Sequence, residues 1–219
     1  MTVSSNQRDE AVVCVHGLWL SGFATGFWRN RFANAGYAAH AFSYQTVRQP
    51  LKTSARQLAE FAAALPQQRI HFAGHSLGAV LITAMLAERD WQLPGKQLGR
   101  IVLAGPPFQG TDVGANMARV GVGRMLLGRA IQEWLDQERP VVPAGVELGV
   151  IAGTRPFGAG RLAAPGLKPP HDGTVRVVET RVEGAREHLS MTVSHTEMLM
   201  SARVTRQMLR FFEHGAFAR

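Results

Sequence analysis

The pentapeptide Gly74-His75-Ser76-Leu77-Gly78 sets one hydroxyl between two glycines. A serine hydroxyl is a weak nucleophile at neutral pH. It needs a base to take its proton and a carboxylate to orient that base. Both follow later in the chain, Asp172 within "HDGTV" and His195 within "SHTEML". Attack on an acyl carbon also creates a negative oxygen, which backbone N–H groups must hold. Leu77, directly after the serine, offers one such N–H at the start of a helix-like run. Leu18 offers another in "VHGLWLSG", where Gly17 permits close backbone approach. Acyl transfer is the chemistry these residue types could perform together. The G-x-S-x-G pattern alone arises by chance in roughly a tenth of such sequences, so its flanking elements must decide.

Those elements read as an alternation of strands and helices. A β-branched apolar run at 11–17 predicts a buried strand, and 27–34 a helix. Residues 37–44 read as a strand, and 54–65 as a helix stopped by Pro66. The strand at 69–74 runs straight into the serine motif, and a helix at 79–89 follows at once. Further strands are expected at 100–105, 147–153 and 188–193, and an amphipathic helix at 196–213 closes the chain. The alternation predicts an α/β fold whose mainly parallel sheet has about six strands flanked by helices. In such a sheet ligands bind beyond the carboxyl ends of the strands. Ser76, Asp172, His195 and Leu18 all fall in strand-end positions of that kind.

One domain over residues 1–219 is expected, with a small helical insertion at 109–140. Val113, Met117, Val120, Leu127, Ile131, Trp134 and Leu135 recur there at helical spacing. Gly121, Gly123 and Gly128 interrupt the pattern, which predicts two short helices. The insertion reads equally as a cap over the site or as the crossover helix that a parallel sheet requires. The Pro/Gly-rich stretch 155–172 is expected to form a wall of the entrance, with Arg155, Arg161 or Lys168 near the mouth.

Alternatives stay open for individual residues. His171 adjoins Asp172 and could serve as the base, whereas His188 and His214 suit structural or surface positions. Asp112 is the rival acid, although it more simply caps a helix. His16 and His75 are expected to shape turns by hydrogen bonding, and Cys14 to be a buried core residue.

Together "VHGLW", "GHSLGA", "HDGTV", "SHTEM" and "LAGPPFQGTDV" resemble the α/β-hydrolase superfamily, specifically its compact bacterial lipase- and esterase-like members. The likeness runs from about residue 11 to 213. It implies Ser76 as nucleophile, Asp172 as acid, His195 as base and the Leu18 and Leu77 amides as oxyanion hole. Trp19, Met117 and Leu127 are the expected substrate contacts, and no metal or organic cofactor is called for. The single-glycine Gly-Leu-Trp sequence departs from the HGGG pattern and implies medium- or long-chain acyl esters. The front of the chain leaves no room for the superfamily's usual first two strands. An acyltransferase or thioesterase would use the same three side chains, and a binding protein could keep the fold without the reaction.

Composition narrows the setting. The formal charge is +8, yet the basic residues are spread along the chain without a dense run. Nothing interleaves them with aromatics, so specific nucleic-acid binding is not expected. A basic surface of this kind would still be drawn to anionic membranes at low salt. No apolar run reaches the ~18 residues of a membrane span. A polar N-terminus and a single cysteine point to a cytoplasmic protein acting on a small or lipid-like ester.

Overall fold

The computed structural model describes residues 8–88, 92–110, 112, 114, 121–136, 138–157 and 167–218, and for 121–127 the backbone only. Six strands form one sheet: β1 (Glu10–Val15), β2 (Ala38–Phe42), β3 (Arg69–His75), β4 (Gln97–Ala104), β5 (Leu148–Gly153) and β6 (Glu187–Met191). Their spatial order is β2-β1-β3-β4-β5-β6, and every neighbouring pair is parallel. All carboxyl ends therefore meet at one edge. Among the described residues the α-helices are α1 (Gly26–Asn34), α2 (Leu51–Ala63), α3 (Leu77–Ala87), α4 (Gly121–Asp136) and α5 (Ala202–His214).

A parallel sheet covered on both faces needs strands that are apolar throughout, and β1 shows how. Val13 and Val15 face a core shared with Leu51 and Leu58 of α2, Leu81 and Ile82 of α3, and Trp134 of α4. Val12 and Cys14 face the opposite core, built with Trp28 and Phe32 of α1 and Met208, Phe211 and Phe212 of α5. Burial of each fully covered aromatic there contributes about 2–3 kcal/mol. It also pushes the Cys14 thiol far above its usual range, which leaves that group inert.

Three boundaries differ from the sequence expectation by three residues or more. Helix α2 starts at Leu51 rather than 54, because Glu133 of α4 reaches across and accepts the Leu51 N–H at 2.8 Å. The closing helix is split. Glu197–Leu199 makes a separate 3₁₀ turn, and Ser201 then caps α5 by accepting from the Val204 N–H. Strand β4 begins at Gln97, which pairs with Arg69 while Leu98 pairs with Ile70; the polar Gln97 and Arg100 flanking Leu98 and Gly99 hide the strand pattern. Within the insertion, Gly128 breaks α4 at φ 75°, ψ 177°, the joint between two helical pieces. A methyl group at Gly128 would collide with the main chain of Val47, so the joint sits directly on the loop after β2.

Candidate active site

Ser76 occupies the turn between β3 and α3 with φ 53° and ψ −121°, a conformation that strains any residue but glycine. The strain is held from several sides. The Ser76 N–H donates to Ala104 O at the end of β4 (2.9 Å), and Ser76 O accepts from Ala79 N–H (3.0 Å). Gly74 is required because a methyl there would lie 2.6 Å from the Ala79 Cα. At Gly78 a methyl would run into the carbonyl oxygens of Val15 and His16. The two glycines thus let α3 start against the ends of β1 and β3, with the serine at the apex.

Asp172 and His195 meet on the same edge. Asp172 is fully buried, and its Oδ2 lies 2.7 Å from His195 Nδ1. Its other oxygen accepts from the N–H groups of Thr174 (2.9 Å) and Val175 (2.7 Å). Burial opposes the charge, but the His195 ring and these donors outweigh it and hold the carboxyl below its usual range. An ionised Asp172 keeps the Nδ1 proton and presents Nε2 of His195 as the basic nitrogen. Gly105, at φ 58°, makes room for the pair. A methyl there would sit 3.1 Å from His195 Nδ1 and 3.2 Å from Asp172 Oδ2.

The loop after β1 is organised by His16. Its Nδ1–H donates to Gly17 O (3.0 Å), its Nε2 accepts from Tyr44 N–H (3.4 Å), and its ring stacks on Tyr44 at 4.8 Å. Leu20 N–H also donates to Gly17 O (3.3 Å). In a trans peptide the next N–H points opposite to the carbonyl. Fixing Gly17 O therefore fixes the direction of the Leu18 N–H. Among the described residues, no acceptor takes the N–H of Leu18 or of Leu77.

The other candidates take different places. His171 accepts from the Gly173 N–H through Nδ1 (3.0 Å), which ties it into its own turn. His188 bonds Thr180 Oγ1 (2.8 Å), and His214 is exposed at the end of α5. Asp112 pairs with Arg176 at 3.1 Å instead of approaching His195. Trp19 is exposed on the loop after β1 at φ 59° and donates its N–H to Thr46 Oγ1. Met117 and Arg161 lie outside the described residues, as does the side chain of Leu127. Arg155 reaches Glu197 at 3.1 Å, and Lys168 is exposed. Gly105, Trp28 and Thr46 carried no sequence signal beyond glycine at a strand end or apolar periodicity.

A cavity of about 430 Å³ lies at the opposite, amino-terminal ends of β3, β4 and β5. Its arginines are already engaged, Arg69 with Glu10 and Arg100 with Glu147. It has no part in the chemistry at Ser76.

Buried imidazoles give the fold a pH dependence. Desolvation, foremost, lowers His75 to about 3 and His71 to about 4. Below pH 6.5 the unfolded chain binds protons at these positions that the native state does not, so stability falls as pH drops toward those values. Roughly 2 kcal/mol per histidine is lost between pH 7 and 5. The urea midpoint should therefore drop over that range. His71→Asn, whose amide oxygen can still accept from the Arg100 N–H, should flatten the drop. Equal midpoints at pH 7 and 5 would contradict this.

The model of the alpha/beta hydrolase family matches residues 12–214. Among solved structures the chain is similar to a Bacillus licheniformis lipase in mature form, with TM-score 0.71 and 17% identity over 94% of this chain and 92% of that one. It is similar to a metagenomic carboxyl esterase, with TM-score 0.62 and 18% identity over 89% of this chain and 66% of that one. It is also similar to polyneuridine aldehyde esterase, with TM-score 0.61 and 14% identity over 94% of this chain and 99% of that one. At these identities the likeness is one of fold. No curated protein sequence matches the chain.

Proposed function

The chain belongs to the alpha/beta hydrolase family, and from that premise we propose that it is a serine hydrolase cleaving carboxylic esters through an acyl-enzyme. One observation carries the reading: the strained Ser76 turn and the buried Asp172–His195 pair share one sheet edge. Ser76 Oγ attacks the acyl carbon as His195 Nε2 takes its proton, and Asp172 stabilises the resulting imidazolium. The Leu18 and Leu77 N–H groups hold the oxyanion. Collapse breaks the ester C–O bond, and the leaving alcohol takes the proton from His195. Water then repeats the sequence on the acyl-enzyme and frees the acid.

The insertion at 109–140 acts as a cap in this reading, with Trp19, Met117 and Leu127 as acyl contacts. Lipid-like esters suit the edge around the serine. Trp19, Leu20 and Phe23 after β1, Phe157 after β5 and Met200 after β6 are all exposed, Phe23 by 89%. With a formal charge of +8, that rim fits an anionic membrane surface.

Turnover of p-nitrophenyl esters of graded chain length, in solution and in phosphatidylglycerol vesicles, tests both parts. Longer acyl chains should be preferred, and Phe23→Ser should lose rate on vesicles alone. Absence of ester turnover throughout would remove the reading. An unchanged vesicle rate in Phe23→Ser would remove the membrane contact.

A further inference from the structure

Among the described residues, His75 is a titratable side chain packed between nucleophile and base that the reaction above leaves without a role. It is buried at the last position of β3, directly before Ser76. Its Nε2 lies 2.9 Å from the main-chain oxygen of His195, 120 residues away in sequence. A carbonyl can only accept, so Nε2 carries the proton and donates. The main chain of His195 is thereby held at both ends, because its own N–H donates to Asp172 O at 2.9 Å. The two imidazole rings pack with centroids 4.7 Å apart. Trp28 meets His75 edge-on at 6.3 Å and donates its Nε1–H to Met198 O, fixing the same loop three residues further on.

The other ring nitrogen is left with a deficit. Nδ1 of His75 is buried and has no hydrogen-bond partner among the described residues. A methyl at Gly17 would lie 3.1 Å from that nitrogen and 3.1 Å from Ser76 Cβ. If the site needed only volume, an apolar ring would fill it without that unmet nitrogen. What an apolar ring cannot supply is the donor to His195.

Resting on the ester-hydrolase reading, we infer that His75 is a positioning residue whose Nε2–H holds the main chain of His195 in register with Ser76. The residue that precedes the nucleophile grips the residue that carries the base. One side chain therefore couples two segments that are distant in sequence and must approach within hydrogen-bond reach when substrate binds. The ring stays neutral, so it places no charge against the imidazolium that His195 forms in each half-reaction.

The test compares three variants with the native enzyme. His75→Gln places an amide donor near the Nε2 position, His75→Asn falls short of it, and His75→Phe keeps the ring without a donor. Rates are referred to folded protein, measured by circular dichroism. His75→Phe and His75→Asn should lower kcat by about 10- to 100-fold with KM within about twofold. Labelling of Ser76 by a fluorophosphonate should slow by the same factor, and His75→Gln should recover most of both. If His75→Phe fails to fold, the contrast between Gln and Asn carries the test. Wild-type kcat in the Asn and Phe variants, or equal losses in Gln and Asn, would overturn the role. A native enzyme that is neither labelled nor active would overturn the ester-hydrolase reading and this role with it.

Discussion

Ser76→Ala is expected to lower kcat by roughly 10⁴- to 10⁶-fold on any ester the enzyme accepts. The hydroxyl is the only group removed, and the rest of the site is built independently of it. The Ser76 main chain keeps its bonds to Ala104 and Ala79, and the Asp172–His195 pair does not involve the serine side chain. KM should therefore move little and the fold should persist. Alanine must still adopt φ 53°, but the native serine already bears that strain. Steady-state kinetics with a melting curve as control measure the effect. A variant within about tenfold of wild type would place the chemistry elsewhere.

Gly78→Ala is expected to cost more than about 4 kcal/mol, the range reserved for severe local conflict. The added methyl would strike the carbonyl oxygens of Val15 and His16, which are main-chain atoms and cannot rotate away. Helix α3 would have to leave the end of β1. The same movement would separate the Leu77 N–H from the Leu18 N–H, so the residual folded protein should also be slow. In an open helix the same change would stabilise by up to about 1 kcal/mol, so the sign itself is diagnostic. Gly95→Ala is the control: that glycine has φ 71° with nothing within 4 Å of a new methyl. Only backbone strain of about 1 kcal/mol is expected there. Similar urea midpoints for the two variants would show that the contact at Gly78 is not rigid.

The parts of the molecule legible in the sequence are those specified by short, contiguous stretches. The β3–Ser76–α3 unit is one, since strand, turn and helix follow without a gap. Asp172 is another, because its carboxylate bonds the N–H groups two and three residues on. The parallel pairing of the strands, though not their spatial order, followed from apolar runs separated by helix-length segments. What stayed hidden depends on partners far along the chain. The start of α2 is set by Glu133, 82 residues away, and no pattern near Leu51 announces it. The end of β4 that pairs with Arg69 is polar because it lies at the sheet's far edge. The division of the last helix follows from Ser201 acting as a cap where helical periodicity continued unbroken. His75 and His16 stood out in the sequence as turn-shaping residues. Their partners, His195 O and Gly17 O, could be assigned only once the strands were side by side.

The proposed reaction requires Ser76 to be a nucleophile activated by His195. Intact-protein mass after exposure to a fluorophosphonate tests this without any assumption about the substrate. Attack by Oγ forms one O–P bond and expels fluoride with the proton, adding a single phosphonyl group. One adduct per chain, mapped to Ser76, absent in Ser76→Ala and strongly slowed in His195→Ala, is the expected result. An unmodified native chain, or an adduct that persists in Ser76→Ala, would contradict it.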